Sequence, residues 1–240
     1  MNYKIKFYDK YVSSHTHKLY GDISLDLIRR EFPVWNSYFG IFLPLDKNSE
    51  ILDIGCGNGS LIYWLHQQGF EKAAGVDLSD EQIRKAAHLG IKNIIKSDFK
   101  YFLGEKENFY DVVFARDVLE HFTKEEILDI LISVRRALKI GGVFIAQTVN
   151  AENLLWGRLR HADFTHDIAF TKESARQTLL ISGFSDVQIY PQRPVAHGLK
   201  SFIRYVLWRC FEYFLHFYLL VETGSSGGIF TQNIIIFAKK

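Results

Sequence analysis

The chain has 240 residues, a formal net charge of only +2, 48% apolar residues and 23% charged residues. That composition suits one sizeable α/β domain. It excludes a disordered chain and lacks the basic footprint of a dedicated nucleic-acid binder. Cys56 and Cys210 make neither a metal spacing nor a disulfide framework, which fits a reducing cytoplasm, and the polar stretch Met1–Lys18 lacks the apolar run of a signal peptide.

Residues 1–49, with the apolar-rich stretch Ile23–Leu43, predict an N-terminal helical cap ahead of the main domain at 50–240. The domain opens on a strand at Glu50–Ile54, followed by a helix over Ser60–Gln68 and a strand over Lys72–Asp77. A helix at Glu81–Leu89, stopped by Gly90, leads to strands at Ile91–Lys96 and Tyr110–Ala115. Thr123 with Glu126 reads as a capping box, opening a helix that runs to about Lys139 and is ended by Gly141–Gly142. Val143–Val149 is a strand, Thr171–Ser182 a helix, and Val187–Tyr190 and Ile229–Ala238 the last strands. This alternation with short connections predicts a mostly parallel sheet flanked by helices.

Two insertions break the rhythm, at about 150–170 and 192–228. Within the second, Ser201–Val221 has nearly the length of a membrane span, but Arg204, Arg209, Glu212 and His216 interrupt it as one polar stripe. An amphipathic helix is expected, serving as a lid, a homodimer interface or a membrane-surface contact. Its aromatic side, with Phe202, Phe211, Phe214 and Phe217, is expected to pack on the chain's own core or on a second copy.

In Ile51–Ser60 an apolar strand runs into glycines and then a helix. Gly55, Gly57 and Gly59 follow Asp53 as D-x-G-x-G-x-G; the dinucleotide fingerprint G-x-G-x-x-G would need glycine at position 60, where Ser60 stands. Ligands in open α/β sheets sit beyond the carboxyl ends of the strands, so Asp77, closing the second strand, is placed to accept ribose hydroxyls. Asp98, following the third strand, would border an adenine.

These motifs resemble those of class I S-adenosylmethionine-dependent methyltransferases. Asp53–Gly59 is similar to their motif I, Gly75–Ser79 to their second-strand acidic motif, and Ser97–Phe99 to the acid-plus-aromatic step after strand three. Asp111–His121 is similar to the fourth motif and Leu138–Gly142 to the hairpin before strand five. The resemblance implies a Rossmann-like sheet, mostly parallel with an antiparallel last strand, and S-adenosylmethionine as cofactor. It implies cofactor contacts at Asp53, Gly55, Cys56, Gly57, Asp77, Leu78, Asp98, Phe99, Arg116 and Asp117.

The acceptor has to be read from what surrounds that site. After strand four the chain has Ala115-Arg116-Asp117-Val118 where methyltransferases of nucleic-acid bases usually carry a proline-containing tetrapeptide, so nucleic acid is not expected. His166 and His121 are the candidate general bases, with His15, Asp163 and Thr165 as substrate contacts. His161, Asp163, His166 and Asp167 match no fixed ligand spacing, so no metal is expected. A looser likeness, carried by Asp9–Tyr11, Ser14, His15, Phe164–His166 and Glu222–Gly224, points to the methyltransferases of bacterial surface-polysaccharide and capsule synthesis. It implies O-methylation of a sugar or a glycan intermediate, in the cytoplasm, with a peripheral position at the inner membrane face as an option. The alternatives are a small-metabolite or lipid-like acceptor and a non-catalytic cofactor-binding partner.

Overall fold

A computed structural model describes Lys4, Phe7, Lys10 and residues 23–240. His15, and with it most of the proposed cap contacts, lies outside the described residues. The sheet has seven strands in the order β3-β2-β1-β4-β5-β7-β6. These are β1 (Ile51–Ile54), β2 (Ala74–Asp77), β3 (Ile94–Lys96), β4 (Tyr110–Arg116), β5 (Leu138–Val149), β6 (Ser185–Pro191) and β7 (Asn233–Lys239). β7 runs antiparallel to both its neighbours, and the pairs among β1 to β5 are parallel. Every residue of β1 is buried because helices cover both faces of the sheet.

One side carries α5 (Lys124–Ala137) and α7 (Lys172–Ile181), whose Ile127, Leu131 and Leu179 join Leu52, Val113 and Phe144 in a core. The other carries α1 (Leu25–Tyr38), α2 (Ser60–Gln67) and α3 (Asp80–His88). There Trp35 meets Trp64 at 6.1 Å between ring centroids, and Phe39 meets Phe114 at 5.7 Å. Asn36 Oδ1 accepts the Trp64 indole N–H at 2.9 Å, so the buried donor is satisfied. Each such buried side chain contributes roughly 1.5–3 kcal/mol. α1 is thereby fixed to the sheet.

The structure differs from the sequence reading at several places. Two short helices, α4 (Phe99–Gly104) and α6 (Trp156–Arg160), occupy segments read as connections. β3 begins at Ile94 rather than Ile91, whose side chain is buried below the strand. β7 begins at Asn233 rather than Ile229, because buried Asn150 and Asn153 take the carbonyls of Ile229, Phe230 and Thr231. Gly141–Gly142 does not end α5: the helix stops at Ala137, and Leu138 already pairs with Tyr110.

The largest departure is α8 (Leu199–Thr223), 25 residues long. Its one buried residue is Glu212, held by the guanidinium groups of Arg193 at 2.9 Å and Arg209 at 3.2 Å. The helix turns Glu212 of its polar stripe toward the domain, and it leaves Arg204 exposed together with Phe202, Phe211, Phe214 and Phe217. The expected packing of that aromatic side on the chain's own core is not what forms. Among the described residues no helix is long and apolar enough to cross a membrane.

Candidate active site

The site is assembled where the carboxyl ends of β1, β2 and β4 meet. Gly55 follows β1 with φ +66°, and a Cβ built there would stand 2.5 Å from Cγ2 of Val118. Two independent constraints therefore require glycine: the left-handed backbone and the approach of the segment after β4. At Gly57, φ is +55° and a built Cβ would make ordinary contact with the Gln82 side chain at 3.7 Å, so there the left-handed backbone alone calls for glycine. The Gly57 N–H donates to Asp77 Oδ2 at 2.8 Å and the Ser79 N–H to Oδ1 at 2.8 Å, which fixes that carboxylate at the rim of the turn. Burial raises its pKa, and the backbone N–H groups of Ser79 and Gly57 oppose the rise.

Asp53 lies beneath the turn, fully enclosed. Burial raises its pKa to about 7, partly offset by the Arg116 guanidinium. Its Oδ1 finds no hydrogen-bond partner among the described residues. Arg116 in turn sits 5.1 Å from the ring centroid of Trp35, so α1 holds the side chain that faces Asp53. Cys56 is buried, and a Cβ at Gly75 would stand 2.6 Å from its thiol sulfur. It can therefore offer a ligand only its backbone. Leu78 is exposed beside Asp77, and Phe99 packs edge-on against Phe122 at 5.6 Å. Asp98 caps α4 by accepting the Lys100 N–H at 2.9 Å and is otherwise exposed.

Asp117 adopts a left-handed conformation, φ +55°, immediately after β4. For a residue with a Cβ this costs of order 1–3 kcal/mol and persists only where neighbours enforce it. Gln147 on β5 does so, donating Nε2–H to both Asp117 oxygens at 2.9 and 3.0 Å and accepting the Asp117 N–H on its backbone oxygen. Gln192 then donates to Gln147 Oε1 at 2.8 Å. Neither glutamine stood out in the sequence, because the pairing that joins them spans three strands.

From Val118 a short helix, Leu119–His121, leads to the second half of the site. His121 and His166 meet with ring centroids 4.7 Å apart at 69°. Thr165 donates its hydroxyl hydrogen to Asp163 Oδ1 at 2.7 Å, so toward His121 Nδ1, at 2.8 Å, it accepts. His121 thus carries its hydrogen on Nδ1. His166 Nδ1 faces the carbonyl of Leu159 at 3.1 Å, an acceptor only, and is likewise the protonated nitrogen. In each neutral ring the unprotonated nitrogen is then Nε2.

Burial, with His166 adjacent, lowers the His121 pKa to about 4; burial also lowers that of His166. Glu120, wholly buried and bonded to Thr148 Oγ1 at 2.9 Å, has its pKa raised by burial, so the neutral acid is favoured. Its backbone oxygen accepts the Asp167 N–H at 2.7 Å, and Lys4 pairs with the Asp167 carboxylate, which ties this insertion to β4. Asp163, Thr165, His166 and His121 are therefore one cluster. His161 is exposed outside it. Ligand atoms of His121, Asp163 and His166 lie within 4.8 Å of one another, a set the sequence spacing missed because His121 is remote in the chain.

Residues 29–189 match the family described as a methyltransferase domain. The chain belongs to that family. Its fold is the class I, Rossmann-like one, and the family's cofactor is S-adenosylmethionine. The methyltransferase is 29% identical over 122 residues to a protein-lysine N-methyltransferase of Saccharomyces cerevisiae, covering 44% of this chain and 53% of that one. It is 35% identical over 104 residues to a ubiquinone biosynthesis O-methyltransferase of Rickettsia bellii, with 42% of each covered. It is 29% identical over 197 residues to a tRNA U34 carboxymethyltransferase of Vibrio atlanticus, covering 74% and 57%. It thus spans about half the length of these curated relatives. Among solved structures, a methyltransferase from Archaeoglobus fulgidus aligns over the whole of both chains with a TM-score of 0.66 at 21% identity. The features of the turn fit the cofactor: a left-handed glycine backbone, a fixed carboxylate at its rim, and a buried carboxylate oxygen that an amino-acid ammonium group would satisfy.

Proposed function

We propose that the chain transfers a methyl group from S-adenosylmethionine to an acceptor oxygen, with His121 and His166 as the proton-accepting groups. The observation that carries this reading is the paired imidazoles, each tied through Nδ1 so that Nε2 is a base. Bound S-adenosylmethionine supplies a methyl on a sulfonium, whose departure leaves a neutral thioether. What the chain must add is position and a proton acceptor. Gly55 and Gly57 would admit the cofactor to the backbone, Asp77 would hold its ribose, and Asp53 with the Arg116–Asp117 segment would face its amino-acid end. Leu78, Asp98 and Phe99 would border the adenine. One imidazole Nε2 would take the hydroxyl proton as the acceptor oxygen forms its bond to the methyl carbon, and Asp163 through Thr165 would keep His121 in the required tautomer.

For the acceptor, the likeness carried by Phe164–His166 and Glu222–Gly224 favours a sugar or glycan intermediate of surface-polysaccharide synthesis. A second reading is a lipid-like or aromatic acceptor. It draws on a cavity of about 440 Å³ lined by Tyr38, Phe42, Tyr190, Pro194 and Tyr205, which shares no lining residue with the glycine turn or the histidine cluster. A ubiquinone-pathway enzyme among the relatives points the same way. Nucleic acid is not proposed, on the net charge of +2.

Calorimetric titration with S-adenosylmethionine, NAD and NADP tests the cofactor: micromolar binding of the first, lost in Asp77→Ala, is expected. Release of S-adenosylhomocysteine with nucleotide sugars or with amphiphilic phenols then separates the two acceptors. Turnover should persist in a metal chelator. Its abolition there would mean that His121, Asp163 and His166 hold a metal instead of moving a proton.

A further inference from the structure

We infer that α8 is a membrane-surface helix that seats the domain on an anionic phospholipid bilayer without crossing it. This does not depend on the methyl-transfer reading. The helix is inverted relative to an ordinary surface helix: its charged residue Glu212 is buried, and its outer side is apolar along the whole length. Ile203, Val206, Cys210, Phe214, Phe217 and Val221 follow one another at steps of three and four, which stacks them as a single outward stripe. All six are exposed.

The width of this stripe chooses the occupant. At 3.6 residues per turn, the outward apolar arc from Phe202 and Leu220 round to Phe211 covers about half the helix circumference. One helix of a second copy, meeting it along a narrow seam, would leave much of that arc bare. A bilayer surface covers the whole arc. The borders have the composition of an interfacial helix. Exposed Tyr213 and Tyr218 flank the stripe on opposite sides, while exposed Lys200 and Arg204 lie along one edge. The other cations, Arg193 and Arg209, face Glu212, so its negative charge is compensated, and the remaining carboxylate, Glu222, sits in the last turn.

A second group of exposed apolar residues stands on the segment to which the chain after α8 is bonded. The segment leaving α8 is bonded to residues 150–153, through Glu152 to the Ile229 N–H and Asn153 to the Phe230 carbonyl. The next residues, Leu154, Leu155 and Trp156, are exposed.

Cys210 supplies the probe, being exposed within the stripe while Cys56 is buried. The full chain, labelled at Cys210 with an environment-sensitive fluorophore, would be mixed with vesicles of phosphatidylglycerol and phosphatidylcholine. A several-fold rise in emission is expected, reduced by salt and weaker on phosphatidylcholine alone. The double variant Phe214→Glu/Phe217→Glu should weaken vesicle binding by on the order of tenfold or more. It should still bind S-adenosylmethionine, since neither side chain reaches the core. Lys200→Ala/Arg204→Ala, a milder change, should weaken binding to the anionic vesicles selectively. No response to either vesicle would overturn the inference. So would a label shielded without lipid in proportion to protein concentration, with a dimer seen by sedimentation, because the second copy would then be the occupant.

Discussion

At the scale of single residues, Asp53 makes the sharpest prediction. Its pKa of about 7 reflects a buried carboxyl with one oxygen unsatisfied. A cofactor ammonium beside it favours the carboxylate, so binding should be coupled to loss of a proton. S-adenosylmethionine affinity is expected to tighten as pH rises toward 7 and to level off above it. Asp53→Asn should bind more weakly at pH 8 and lose the pH dependence, both read by titration calorimetry. An unchanged slope would remove Asp53 from the cofactor's neighbours. The histidines behave differently. A base must be neutral, and burial keeps His121 neutral down to about pH 4. The acidic limb of kcat/KM should therefore lie below the ordinary imidazole value near 6.5. His121→Gln or His166→Gln should lower kcat by roughly 10²–10⁴-fold for the imidazole that takes the proton, with far less effect from the other.

At the scale of elements, the local signals that were legible are those made by adjacent residues. Thr123 and Glu126 form the reciprocal capping box read from their spacing, with bonds of 3.3 and 3.0 Å. Thr123→Ala should cost about 1 kcal/mol in urea unfolding, leaving cofactor affinity unchanged. The turn at Gly55–Gly59 was equally legible, since only glycine tolerates both the backbone and the crowding by Val118. Gly55→Ala should abolish cofactor binding. Adding Val118→Ala relieves the crowding but not the left-handed backbone, so only partial recovery is expected. Less legible were relations across the fold. Gln147 gains its role only when β5 lies beside β4, and Gln192 only when the chain returns along β6 and β7. The orientation of α8 was hidden for a related reason. Its polar stripe reads as a solvent face until Arg193, outside the helix, is seen to claim Glu212 from within.

At the scale of the whole molecule, buried titratable groups of opposite sign share one site, and together they shape stability against pH. His121 has a folded pKa near 4, below its ordinary 6.5, so the unfolded chain takes up its proton first as pH falls. Its contribution is complete above pH 6.5 and is lost between there and about 4, a change of about 3 kcal/mol. Asp53 runs the other way. Its folded value of about 7 lies above the ordinary 3.8, so the unfolded chain releases a proton that the fold retains. Stability falls as pH rises across that interval, by up to about 4 kcal/mol, and Glu120 adds to the fall because burial raises its pKa as well. In the chain without cofactor the His121 rise offsets the Asp53 fall between pH 4 and 6.5, so the fall from Glu120 is left and chemical unfolding should show stability declining with pH there. Asp53→Asn should flatten the profile over that interval, because the His121 rise then meets only the Glu120 fall. His121→Gln should steepen the decline toward pH 7, because Asp53 and Glu120 then act unopposed. Saturating S-adenosylmethionine should flatten the His121→Gln decline, since the cofactor favours ionised Asp53. Parallel profiles for both variants and the unmodified chain would mean that water reaches these groups and that the site is less enclosed than its geometry requires.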